Sequence, residues 1–239
     1  MKVELWSDFV CPFCYIGKRK FESALSEFPH KDHVELEFKS FELDPNTDSS
    51  LNASVHEMLA KKYGMSIDQA KASSNNVAEQ AAAVGLVFRF DGMLDLNTFD
   101  AHRLSQYAAD QGKGAEMSER LLKAHFTDSD NISNHARLLE LAVEVGLNRE
   151  AVRQLLESTQ YADKVREQEE EGSRLGIRGV PFFVIDRKYA VSGAQSPAVF
   201  LDTLNKAWEE KYPTLLQVDE ANSDGICTDG ICIPGKDKS

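Results

Sequence analysis

A chain of 239 residues, 42% of them hydrophobic, can bury a sizeable core, as one large domain or as a domain carrying a substantial insertion. Its formal net charge of −12 sets long-range repulsion against nucleic acid and anionic membrane surfaces, so neither is an expected partner. No stretch approaches the roughly 20 apolar residues of a membrane-spanning helix. Met1-Lys2-Val3-Glu4-Leu5-Trp6 lacks the basic-then-apolar pattern of a secretory signal, so the expected location is the cytoplasm.

Val3 to Phe9 reads as a buried strand. Cys11 follows at an N-cap position and Pro12 at the first helical position, where a missing N–H costs nothing. Cys14, Phe21, Leu25 and Phe28 recur at helical spacing until Pro29 and the polar run from His30 to His33 end the helix. Val34, Leu36 and Phe38 alternate with Glu35, Glu37 and Lys39, which predicts a strand with one apolar face and one solvated, charged face. Strand, helix, strand predicts a right-handed parallel unit, closed by Asp44-Pro45-Asn46.

From there to about Gly176 the pattern is almost entirely helical. Helices are expected over Ser54–Tyr63, Ile67–Val84, from Asn97 or Thr98 through Ala108, and over Ala115–Phe126. Three more are expected: one capped by Ser133 and stopped by Gly146, one capped by Asn148, and a charged one over Tyr161–Leu175. Leu86 to Phe90 interrupts them as a brief extended piece. Strand character returns at Val180-Pro181-Phe182-Phe183-Val184-Ile185, and Asp186-Arg187-Lys188 turns the chain so that Tyr189-Ala190-Val191 pairs back. Ser196-Pro197 opens a last helix, which ends at Tyr212-Pro213. With two strands before the helical block and two after it, the economical reading is one α/β domain (1–45 and 177–213) with an inserted helical domain (46–176) and a tail (214–239).

The four cysteines form two close pairs, Cys11/Cys14 and Cys227/Cys232, at opposite ends of the chain. A disulfide scaffold would spread them through a small domain, so paired thiols in a long chain point to redox or metal chemistry.

Four stretches together resemble the DsbA-like branch of the thioredoxin superfamily. They are Cys11-Pro12-Phe13-Cys14 after an N-terminal strand, Asp100-Ala101-His102-Arg103-Leu104 in the helical block, Gly179-Val180-Pro181-Phe182-Phe183-Val184, and Ser192-Gly193-Ala194-Gln195. The likeness is nearest to FrnE-like oxidoreductases, which are grouped with hydroxychromene-carboxylate isomerases and kappa-class glutathione transferases. The resemblance implies a thioredoxin-like domain with a large all-helical insertion and a cysteine-containing tail. It also implies a cis proline at Pro181, facing the thiols and helping, with the Val180 backbone, to hold substrate. The glutathione-transferring and isomerase relatives carry serine where this chain has Cys11, which favours dithiol–disulfide chemistry here.

A thiol at a helix start meets free N–H groups and a partial positive charge that favour the thiolate. Cys11 is therefore expected to attack a disulfide and Cys14, one turn on, to resolve the mixed disulfide; the bland alternative is two buried structural cysteines. Phe13 adds no charge between them, in place of the histidine of strongly oxidising relatives, so a less oxidising pair is expected. Cys227 and Cys232, bridged by an Asp229-Gly230 turn, read equally as an auxiliary redox pair and as a clip for the tail; a four-cysteine zinc site is the third reading. Phe13, His102 and Gln195 are candidate substrate contacts, though His102 reads more readily as a packed or hydrogen-bonded helix residue. Glu37 or Lys39 is a weaker candidate for a proton relay beneath the thiols. No metal or cofactor is expected, with glutathione a possible co-substrate; the expected partners are protein or small-molecule thiols and disulfides. The competing functions are a glutathione-dependent isomerase or transferase, and a non-catalytic, chaperone-like binder. Substrate identity, electron direction and oligomeric state stay open.

Overall fold

The computed structural model describes residues 1–213. Cys227 and Cys232, with the relay, clip and zinc readings attached to them, lie outside the described residues. The architecture is mixed α/β. Strands β1 (Lys2–Ser7) and β2 (Glu35–Ser40) flank helix α1 (Pro12–Glu27) in sequence. Seven helices follow: α2 (Val55–Tyr63), α3 (Ile67–Ala82), α4 (Phe99–Asp110), α5 (Gly114–Phe126), α6 (His135–Glu144), α7 (Arg149–Leu156) and α8 (Ala162–Arg174). The hairpin β3 (Phe182–Ile185) and β4 (Tyr189–Ser192) and helix α9 (Pro197–Lys211) complete the described chain. The sheet order is β2-β1-β3-β4, with β1 parallel to β2 and antiparallel to β3. No helix among the described residues is long and apolar enough to cross a membrane.

The alternation in β1 and β2 works as expected on one face. Val3, Leu5 and Phe38 point with Phe183 and Ile185 into a core shared with Phe21 and Phe28 on one side of the chain's first helix and Phe200 and Leu204 of α9. Phe21, Phe183 and Phe200 are fully buried and pack at centroid separations of 5.5, 5.7 and 4.7 Å. Each such ring removed from water contributes about 1.5–3 kcal/mol. A second core lies in the helical block, where Leu104, Met117, Leu121, Phe126 and Leu138 surround Tyr15 and Ile16 of α1.

The other face of the sheet departs from the sequence expectation, because α8 lies over it. Glu4 is 1% exposed, and Lys39 reaches Glu4, Glu37 and Glu171. The charges are kept there by mutual pairing, not by water. Leu86 to Phe90 runs outside any helix, as the extended piece expected, and Arg89 N–H donates to the Phe126 carbonyl at 2.7 Å. One smaller difference has a local cause. Asn134, not Ser133, caps α6, since the Ser133 hydroxyl already donates to Asn131 Oδ1 at 2.6 Å. Ser54 and Ser66 each form a full capping box, which fixes the starts of α2 and α3.

The α8 contact with the sheet depends on a missing side chain. A Cβ on Gly172 would stand 2.8 Å from Trp6 Nε1 and 3.0 Å from Cδ1, and Trp6 is a fully buried ring that donates to the Gln168 carbonyl at 2.9 Å. Gly172→Ala is expected to lower unfolding stability by about 1–3 kcal/mol, read by urea denaturation; an unchanged midpoint would refute the contact.

Helix α1 is also tied to α5. Burial alone would raise the Glu119 carboxyl, but hydrogen bonds from Arg19, Lys18 and Tyr15 outweigh it and hold the group at about 2. A folded-state value below the unfolded one stabilises above the unfolded value, and that stability is lost as pH falls. The tie should weaken from about pH 4.5 down to about 2. Glu119→Gln should flatten that part of the acid-unfolding curve, followed by circular dichroism.

Candidate active site

The strand β1 ends at Ser7, and four residues later the chain enters α1 with Cys11 as N-cap in an extended conformation (φ −90°, ψ 110°). Pro12 takes the first helical position and the first turn holds no acid. Cys11 N–H donates to the Asp8 carbonyl at 3.2 Å, and Cys14 N–H to the Cys11 carbonyl at 3.1 Å, so a tight turn sets the first thiol. Both are free thiols. Cys11 is 4% exposed and Cys14 is fully buried, while Phe13 between them is 40% exposed.

The segment before β3 returns to this point. The Val180–Pro181 peptide bond is cis, and Cys11 Sγ lies 3.5 Å from the Val180 carbonyl oxygen. Val180 is half-buried and Pro181 buried. Pro181 is held from two sides: its carbonyl accepts from Gly193 N–H at 2.8 Å, and α1 approaches it at Gly17. A Cβ on Gly17 would sit 3.0 Å from Pro181 Cγ and 3.4 Å from Ala194, so this glycine allows the helix to lie against the proline. Lys20 donates to the Ala194 carbonyl at 3.0 Å, fixing the 193–195 turn on the same helix.

The structure thus brings together Cys11, Cys14, Phe13, Val180 and Pro181. Gln195 is exposed on the adjoining turn, but its amide donates to the Ser192 carbonyl at 2.9 Å. His102 is placed otherwise than a substrate contact requires. It is 2% exposed, packs on Phe9 at 4.7 Å, and meets Asp8 Oδ1 at 3.2 Å through Nε2. Its neighbour Arg103 is a brace, donating to the carbonyls of Leu155 and Gln160 at 2.6 and 2.8 Å. Glu37 pairs with Lys2 and Lys39 toward the end of β1 remote from the thiols, and is no relay beneath them.

Sequence reasoning missed the group that does lie beside the thiols. Asp8 is 1% exposed, accepts from Leu43 N–H at 2.7 Å and pairs with His102. Its one signal is the polar Ser7-Asp8 step that breaks an apolar strand just before Cys11. Gly17 had a signal too, a glycine inside a helix where it costs about 1 kcal/mol and so points to close packing. Around this buried pair, burial pushes Glu42 up against the pull of Arg166, and pushes His125 down to about 4. Among the described residues no three His, Cys, Asp or Glu groups cluster as a metal site.

Burial also raises the Cys14 thiol well above the ordinary cysteine range, and the neighbouring Cys11 sulfur adds to the rise. The Ser7 hydroxyl, with no other hydrogen-bond partner, and the Asp8 backbone act in the opposite sense without overcoming it. In a Cys11→Ser variant at about pH 8, Cys14 should stay unmodified by iodoacetamide until the protein is unfolded, as read by peptide mass spectrometry. Rapid modification of the native variant would contradict the burial.

Known proteins of this shape can be set beside the geometry. The family model for DSBA-like thioredoxin domains matches residues 2–205. The probable DsbA oxidoreductase SCO1869 of Streptomyces coelicolor is 44% identical, with a TM-score of 0.85 over 98% of this chain and 100% of that one. The uncharacterized protein YwbO of Bacillus subtilis is 28% identical over 222 residues, 87% of this chain and 98% of that one. At 20% identity, the cytosolic disulfide reductase DsbM of Pseudomonas aeruginosa shares the fold (TM-score 0.62, 88% of this chain, 100% of that one). Its structure with GSH superposes with a TM-score of 0.59 over 86% of this chain and 98% of that one.

Proposed function

This chain belongs to the family of DsbA-like thioredoxin domains, and we propose that within it the chain is a thiol–disulfide oxidoreductase working through Cys11 and Cys14. The observation that carries the proposal is the meeting of Cys11, at the start of α1, with the Val180 carbonyl 3.5 Å away and Cys14 one turn deeper.

The Cys11 thiolate attacks one sulfur of a substrate disulfide. A Cys11–substrate S–S bond forms, the substrate S–S bond breaks, and the displaced sulfur leaves as a thiolate that takes up a proton. Cys14 then gives up its proton and attacks the Cys11 sulfur. The Cys11–Cys14 bond forms, the mixed disulfide breaks, and the second substrate sulfur leaves and is protonated. Two electrons have passed from the protein thiols to the substrate. Run backwards, the oxidised pair gives its disulfide to substrate thiols.

The buried position of Cys14 suits it to resolving and Cys11 to the encounter, because only Cys11 borders the surface formed by Phe13 and the half-buried Val180. A substrate chain lies along Val180 and Pro181, whose place against α1 is fixed through Gly17 and Gly193. Glutathione disulfide is the small substrate to set beside protein disulfides, with the GSH complex of DsbM as its support. The Asp8–His102 pair holds the turn that carries Cys11 and does not touch substrate.

Insulin reduction in the presence of dithiothreitol tests the reading. Cys11→Ser should slow the catalysed rate roughly a hundredfold or more, about 2.7 kcal/mol in the barrier. Cys14→Ser should instead accumulate a mixed disulfide between Cys11 and insulin, visible by mass spectrometry. Full activity in Cys11→Ser would end the proposal.

A further inference from the structure

A cavity of about 560 Å³ opens between α2, α3 and the irregular segment 88–91. That volume is in the range that holds a small organic molecule. Cys11, Cys14 and the Val180–Pro181 segment do not line it, so it is separate from the thiol site. Its inner wall is apolar, made by Ala78, Phe88 and half-buried Phe90. Phe88 is 8% exposed and backed by Tyr15 and Phe126 at 5.9 and 4.5 Å, so the wall is fixed by the core.

Set into this wall is His56, 8% exposed, whose ring nitrogens make no hydrogen bond among the described residues. The ring borders the cavity, and its nitrogens are not among the fully buried polar atoms left unpaired. The rim carries the exposed cations Lys71 and Arg89, neither in an ion pair among the described residues. Elsewhere Arg103, Arg137, Arg166 and Arg187 are each tied to a carboxylate, while Arg149 and Arg178, which line no cavity wall here, form no ion pair among the described residues. One acid, Asp91, lines the same cavity as the two cations.

We propose that this cavity binds a small aromatic monocarboxylate. The ring lies against Phe88 and Phe90, where flat apolar surfaces gain most from contact. The carboxylate meets the Arg89 guanidinium, whose planar fork matches two carboxylate oxygens, with Lys71 as a second charge. His56 supplies a hydrogen bond deeper in the cavity. Two cations less one acid leave a single positive charge at the rim, which suits a monoanion; a phosphate ester would bring a second charge toward Asp91.

Calorimetric titration of the full-length protein with benzoate tests this. The expected result is saturable one-to-one binding, at least tenfold tighter than that of the neutral isostere benzamide. The double variant Lys71→Gln/Arg89→Gln should weaken benzoate at least tenfold, about 1.4 kcal/mol. Both positions are exposed, so the variant tests the rim without disturbing the core. Ala78→Trp, which fills the cavity, should abolish binding; should it fail to fold, the double variant alone decides. Absence of saturable binding, undiminished binding in the double variant, persistence in a folded Ala78→Trp protein, or tighter binding of phenyl phosphate would each overturn the proposal.

Discussion

The placement of α1 between two cores governs the rest of the structure. One side of the helix sends Phe21 and Ala24 into the sheet core, and the other sends Tyr15 and Ile16 into the core of the helical block. A helix buried on two sides has little freedom to shift or rotate, because interiors are packed as densely as organic crystals. Its first residue is therefore fixed as well, and that residue is preceded by Cys11 as N-cap. The near contact of Gly17 with Pro181 extends the same constraint to the segment before β3. The thiols and the proline meet because a single rigid element touches both.

A chain of polar contacts joins the helical block to the sheet. Gln168 of α8 accepts from Trp6 through its carbonyl and from Ser40 N–H through its side chain. Its own amide donates to Gln106, which in turn donates to the Phe38 carbonyl at 3.2 Å. All four residues that contribute side chains or N–H groups here are buried, so each hydrogen bond removed would leave a partner unsatisfied at about 1–3 kcal/mol. Apolar packing tolerates small slides; a buried network with directed bonds does not. The polar layer thus sets how α4 and α8 lie on the strands, while the hydrophobic cores supply most of the stabilisation.

Much of this was legible in the sequence because local rules and tertiary packing agree. The capping serines at 54 and 66, the glycine stops at 64 and 146 and the 186–188 turn each fix an element boundary through chemistry within a few residues. The thiol pair at a helix start was readable for the same reason. What was hidden depends on partners far along the chain. Nothing near Lys39 tells that α8 will cover it and supply Glu171, so the alternating charges of β2 looked like a solvated face. The packed, hydrogen-bonded reading of His102 holds, but its partner, Asp8, could not be named because it lies 94 residues away. Motif likeness marked the Asp100–Leu104 stretch without saying that its part is to brace loops and hold a buried carboxylate.

The difference between the two cysteines follows from helix geometry. Cys11, outside the first turn, shares the rim of the fold with exposed Phe13 and half-buried Val180. Cys14, three residues on, has entered the layer where α1 passes between the cores, and its environment opposes a charge. Two thiols of the same chemistry are thereby unequal before any substrate arrives. A buried thiol that resists ionisation is protected from outside reagents, yet it lies one helical turn from the Cys11 sulfur. Moving the pair one residue along the helix would turn the second thiol off that buried face, so the spacing, the proline at the first helical position and the depth of α1 in the fold have to be set together.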